Sequence, residues 1–216
     1  EWRGFVFVHL AGEAAPPLVP WLGDFVAAAA HVDFESLRFE STARHELACN
    51  WKTYVENYLE GYHIPYLHKE LTREVAIDAY DVLCGDKHVV HVVPTKGDAT
   101  YDGFWAWLWP NVALNVYHNG MSIERIVPLG PQRMAIEYIY LFDDVSEATA
   151  EARAASRQMS HDVTLEDLQV CEAVQQNLAA GVYAVGELSP RHEEGVRFFQ
   201  DLVRGALGDR CVRGVE

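Results

Sequence analysis

The chain has 216 residues, half of them hydrophobic, with 17 basic against 32 acidic side chains and a net charge of −15. That length and apolar content suit one large domain, or a domain plus a fragment. The acidic balance argues against nucleic acid and anionic membrane surfaces as partners, since both need a basic patch, and no stretch approaches the roughly 20 apolar residues of a membrane span.

The chain opens on Glu1 without a signal-like segment. Alternation in GFVFVHL predicts a strand over 4–9, and so abrupt a start reads as part of something longer. AGEAAPPLVP is proline-rich and reads as a domain junction. WLGDFVAAAAH predicts a short helix, and FESLRFESTARHELAC one or two strands. Asn50 is a good N-cap for a helix beginning at Trp51. Residues 69–87 read as loops with short elements. From 88 to 142, KHVVHVV, GFWAWLW, ALNVYHNGMSIERIV and RMAIEYIYLF are strand-like, with turns at His118-Asn119-Gly120 and Leu129-Gly130-Pro131. Residues 145–180 have helical periodicity, and a final amphipathic helix is expected from near Pro190. This order predicts an α+β fold, an antiparallel β-sheet with helices packed on one face. Cys49, Cys84, Cys171 and Cys211 form no CxxC pair and read as free thiols of a cytoplasmic protein.

Within NWKTYVENYLEGYHIPYLH, His63 and His68 are five residues apart with Pro65 between them. On a continuous helix positions i and i+5 diverge by about 140°, too far to share a metal. Proline disfavours helical backbone at Ile64, so the helix is expected to end near His63 and let His68 swing back. Glu56, Glu60 and His63 then lie along one side, and a carboxylate beside a ligating histidine can orient its second ring nitrogen.

Two histidines plus one carboxylate, leaving open positions, form the facial triad of non-haem Fe(II) sites. In HDVTLEDLQVCEAVQQNLAAG, Asp167 shares a helical stripe with Val163, Val170, Cys171, Val174 and Leu178. An acid on a buried apolar stripe needs a partner. Asp162 groups instead with Glu166, Gln169 and Glu172 on what reads as a wet face, which favours Asp167 as third ligand. A buried hydrogen bond is the competing role for Asp167.

At this point the motif resembles that of the large (alpha) subunits of Rieske non-haem iron oxygenases, the ring-hydroxylating and betaine-, choline- and carnitine-oxidising enzymes. The matching residues are Asn50-Trp51, Glu56-Asn57, Glu60, His63 and His68, then Asp167, Glu172 and Gln175 in EDLQVCEAVQ; GELSPRHEEGVRFFQ and WPNVALNVY add to it. The resemblance implies a helix-grip (Bet v1-like) catalytic domain over 21–216, with 1–20 the remnant of a junction to a missing Rieske domain. It implies mononuclear Fe(II) on His63, His68 and Asp167, Asn57 as a further site residue, and a small-molecule substrate with O₂. Electrons would come from NAD(P)H through a reductase or ferredoxin. A homotrimer is implied, with Glu60 bridging His63 to the Rieske cluster of a neighbouring subunit.

Two departures qualify the resemblance. The C-x-H and C-x-x-H pairs that hold a [2Fe–2S] cluster do not occur here, so that cofactor is expected only in the missing domain. Most ring dioxygenases of the family carry aspartate at the position of Glu60; glutamate leans toward the branch that hydroxylates or N-demethylates quaternary ammonium compounds. Trp105, Trp107 and Trp109 alternate along one strand, as do Tyr138 and Tyr140 along another. They read either as core or as an aromatic cage for a cation, with Trp105, Trp107 and Tyr138 the candidate substrate contacts. His118 reads as a turn residue, and His88, His91, His161 and His192 as structural or exposed. An aromatic-ring dioxygenase, a degenerate ligand-binding module without turnover and a zinc hydrolase remain as alternatives.

Overall fold

The computed structural model describes residues 1–182 and 186–208; Cys211 lies outside them. Seven strands form one antiparallel sheet in the order β1-β7-β6-β5-β4-β3-β2. They are β1 (Arg38–Leu47), β2 (Asp81–Cys84), β3 (His88–Val92), β4 (Tyr101–Leu108), β5 (Val112–Tyr117), β6 (Gly120–Gly130) and β7 (Arg133–Phe142). The turn β5–β6 is a two-residue loop, His118-Asn119, closed by the Tyr117–Gly120 pair. Gly130 pairs with Arg133 across the next turn.

Strand alternation sorts the two faces. On β4, Trp105 and Trp107 point into the core shared with helices α3 (Trp51–Tyr58), α6 (Ala150–Ala179) and α7 (Glu194–Leu207). Phe104, Ala106 and Leu108 point the other way, onto Leu22 of α1 (Leu18–Leu22) and Phe25 of α2 (Phe25–Ala28). The fold is therefore α+β, with the long helices on one face and two short ones covering part of the other. No helix among the described residues is long and apolar enough to cross a membrane.

Several elements differ from expectation. Residues 4–9 form no strand; Trp2 and Phe5 make an isolated bridge and their rings pack on Phe34. Val6, Val8 and Leu10 stay exposed, because alternation alone supplies no neighbouring strand to pair with. The helix expected within 21–31 is broken at Gly23, whose φ of 59° lies in the left-handed region.

Pro65 does not end a helix at His63. α3 begins as expected, with Asn50 Oδ1 accepting the Lys52 amide at 3.0 Å. It ends at Tyr58, well before His63, and Ile64 is helical in α4 (Ile64–Leu67). Pro65 thus sits in the first turn of a new helix, where its missing N–H has no partner to lose. α5 (Lys69–Glu74) follows at once.

The stripe on α6 is also different. Ser156, Ser160, Thr164, Asp167 and Cys171 are buried, whereas Val170, Val174 and Leu178 are exposed. The sheet beneath presents tyrosine hydroxyls: Tyr138 bonds Thr164 at 2.7 Å and Tyr140 donates to Ser160 at 3.2 Å. Small hydroxyl residues face that surface better than valines. Glu172 and Gln175 dock α6 on the start of α3, accepting the Ala48 and Asn50 amides, each at 2.8 Å.

Candidate metal centre

His63 stands just before α4, His68 just after it, and Asp167 in the middle of α6. The short helix therefore presents both imidazoles to one point, and the long helix brings the acid to it. His63 Nε2 lies 3.1 Å from His68 Nε2 and 3.6 Å from Asp167 Oδ1; His68 Nε2 lies 3.1 Å from the same oxygen. Three ligand atoms at right angles, each about 2.1 Å from a metal, are roughly 3.0 Å apart. This triangle is close to that and fits a three-ligand site with open positions. Among the described residues it is the one group of three such side chains with metal-ligand geometry.

Each imidazole is fixed from behind. His63 Nδ1–H donates to Glu60 Oε1 at 2.6 Å, and its backbone amide reaches Glu60 Oε2 at 3.2 Å. His68 Nδ1–H donates to Glu166 Oε2 at 2.7 Å. A carboxylate can only accept, so both rings carry the proton on Nδ1 and keep the Nε2 lone pair for a metal. Asn57 Nδ2 donates to Asp167 Oδ1 at 2.8 Å. Burial of His68 opposes its protonation, but Asp167 and Glu166 outweigh it and raise its pKa.

Glu60 and His63 are close although no helix joins them; Glu60 lies in the turn after α3. That turn is tight against Tyr80: a Cβ on Gly61 would fall 2.3 Å from the Tyr80 ring.

Beside the triad is a cavity of about 80 Å³, several times the roughly 10–15 Å³ that one water needs. Asn57, Glu60, His63, His68 and Asp167 line it together with Tyr54, Tyr58, Tyr80, Tyr101, Trp105 and Tyr138. Trp105 and Tyr138 thus belong to its wall. Trp107 does not; its ring is wholly buried against Trp109 and Phe199, under α7. Alternation put it on the correct face but too far along the strand.

Glu166, Glu124 and His91 also stand at the site. Glu166 lies on the wet face of α6, with its side chain 43% exposed, yet it holds His68. Glu124 is buried on β6, with Oε2 accepting from Tyr54 at 2.8 Å and Oε1 from Asn115 at 2.6 Å. Burial pushes its carboxyl up to about 7. The available signal was an acid alternating with Ser122 and Ile126 on the inward face of a strand. His91 is buried on β3; Tyr80 meets its Nδ1 at 2.8 Å, and its Nε2 has no partner among the described residues. Burial, then the nearby His63, lowers its pKa to about 3, so it is neutral.

Comparison with known proteins places these features in context. The family model of the ring-hydroxylating alpha subunit (catalytic domain) matches residues 34–91 and 92–209. Choline monooxygenase of Arabidopsis thaliana is 28% identical over 77% of this chain and 42% of its own length. The carnitine monooxygenase oxygenase subunit of Escherichia coli K12 is 26% identical over 97% and 61%. The chain spans about half the length of the curated relatives it matches. A solved quaternary ammonium Rieske monooxygenase superposes with a TM-score of 0.79 at 21% identity, covering 89% of this chain and 57% of that one; at that identity the likeness is one of fold.

Proposed function

The chain belongs to the family of ring-hydroxylating alpha-subunit catalytic domains, and from that premise we propose that it is the mononuclear-iron half of a Rieske-type oxygenase acting on a small cationic amine. His63, His68 and Asp167 would hold Fe(II), which when bound supplies the activation of O₂. The observation that carries this is the triangle of 3.1, 3.1 and 3.6 Å edges, with both imidazoles fixed through Nδ1. Glu60 and Glu166 orient the rings, Asn57 orients Asp167, and the cavity beside them receives the substrate.

The quaternary ammonium reading rests on the cavity wall. An arene calls for a flat apolar slot, whereas this wall joins aromatic faces to a carboxylate, Glu124, a pairing suited to a cation. Choline and carnitine oxidation by the relatives points the same way. On this reading residues 21–216 are the catalytic domain and 1–20 the junction with a Rieske domain carrying a [2Fe–2S] cluster. Such a cluster would supply electrons drawn from NAD(P)H through a reductase or ferredoxin, and Glu60 would bridge it to His63 by hydrogen bonds across the interface of a homotrimer.

The test is metal content. Protein purified from iron-supplemented cells should hold one iron per chain, and His63→Ala should lose it. Absence of stoichiometric iron, or iron retained in His63→Ala, would sink the oxygenase reading.

A further inference from the structure

We propose that Glu124 is the counter-charge for the substrate's nitrogen and that the pocket it creates selects plain cations over zwitterions. The inference rests on the proposed function, in that it takes the cavity beside His63 and His68 as the substrate pocket.

The cavity is lined by three acids, Glu60, Glu124 and Asp167, and by no lysine or arginine among the described residues. A divalent ion in the triad would offset Asp167 and Glu60, which is already engaged with His63. No positive side chain among the described residues of the cavity offsets Glu124. Glu124 is 4% exposed, and its carboxylate is held by neutral donors, the Tyr54 hydroxyl and the Asn115 amide, with the Tyr138 hydroxyl also turned to it. A buried charge without a partner is costly, so a ligand that supplies a positive charge gains there.

The surroundings suit an alkylated nitrogen. Tyr54, Tyr101, Trp105 and Tyr138 line the same space, and their faces attract a cation that has no N–H to donate. Glu124 pairs across the sheet with Tyr138, which puts acid and aromatic ring side by side. Tyr58 joins this end to His91: its hydroxyl donates to Asn115 Oδ1 at 3.0 Å and its ring meets the imidazole edge-on. His91 is neutral, so it brings no positive charge to this end of the cavity. A ligand carboxylate finds no cation among the described residues that line the cavity. A trimethylammonium alcohol therefore satisfies the cavity, and a trimethylammonium acid brings in a fourth negative group.

Choline and glycine betaine make the test, since both carry trimethylammonium and only the second carries a carboxylate. Their binding to the iron-loaded full chain is measured by calorimetry at pH 8, with iron content determined on the same sample. Choline is expected to bind at least about 10-fold more tightly than glycine betaine. Glu124→Gln should weaken choline by about 30-fold or more while leaving glycine betaine unchanged or improved. Glycine betaine binding as tightly as choline, choline unaffected by Glu124→Gln, or neither compound binding overturns the proposal. The comparison of ligands in the unaltered protein stands even if the variant misfolds. Iron stoichiometry and its loss in His63→Ala are read separately, so a failure of the oxygenase reading is distinguishable from a failure of this one.

Discussion

Asn57 donates a 2.8 Å hydrogen bond to Oδ1 of Asp167, joining the helix that leads into the two histidines to the helix that supplies the acid. The same oxygen faces both imidazole Nε2 atoms. Asn57 therefore sets where one corner of the triangle stands without touching a metal itself. Asn57→Ala should lower iron affinity about 10-fold, measured by competition with a chelator. Asn57→Asp should do worse, because it puts a like charge beside Asp167. Unchanged affinity in both variants would remove Asn57 from the site.

Glu60→Gln separates the two roles proposed for Glu60, orienting His63 and bridging electron transfer. Glu60→Gln keeps an oxygen that can accept from His63 Nδ1 but loses the charge. Iron stoichiometry should survive, whereas turnover with a complete Rieske partner and reductase should fall by roughly 100-fold. Loss of iron with turnover per iron intact would mean that Glu60 only orients His63.

Glu166 and Asp162 test how the outer face of α6 is divided. Glu166 reaches His68 Nδ1 at 2.7 Å, while among the described residues Asp162 accepts only from Gln158 on the same helix. Glu166→Ala should cost about 10-fold in iron affinity, and Asp162→Ala should cost nothing measurable. Equal behaviour of the two variants would show that the contact with His68 has no energetic weight.

The difference between these two acids also marks how far the sequence could be read. The sheet, both long helices and the Asn50 cap follow from local signals: alternation, helical periodicity, a capping side chain. That His63, His68 and Asp167 come together was legible from their motif, although the route by which they do so was not. The gap between His63 and His68 works because α3 stops at Tyr58 and α4 starts afresh, not because Pro65 breaks one helix. Asp167 is buried as expected, but among serines and threonines that meet tyrosine hydroxyls. Glu166, His91 and Glu124 owe their places to contacts between segments far apart in the chain, and a local pattern carries little of that. Of the three, only Glu124 left a trace, an acid in phase with the inward side of its strand.

Gly61 offers a test of the turn that carries Glu60. A methyl group there would lie 2.3 Å from the Tyr80 ring, and Tyr80 in turn contacts His91. Gly61→Ala should destabilise the fold by about 1–3 kcal/mol, read as a lower urea midpoint, and should weaken iron binding as well. A stability equal to that of the unaltered chain would mean that Tyr80 gives way freely and does not brace the turn.

Glu124 makes the pH dependence of folding predictable in sign. Burial raises its carboxyl from 4.5 to about 7, opposed by the bonds from Tyr54, Asn115 and Tyr138 and aided by Asp167. A carboxyl with a folded pKa above its unfolded value binds its proton more tightly in the native state. The stability this gives is fully present below the unfolded pKa near 4.5 and is lost as pH rises through about 7. At one pKa unit per 1.36 kcal/mol the loss is roughly 3 kcal/mol. Glutamine does not titrate, so Glu124→Gln escapes it, and groups common to both proteins cancel in the comparison. Urea unfolding in the presence of chelator, at intervals from pH 4.5 to 8, should show the variant gaining on the parent by about that amount. Parallel stability curves would mean that Glu124 ionises as readily in the folded chain as in the unfolded one, and a carboxylate so well solvated would gain little from a substrate cation.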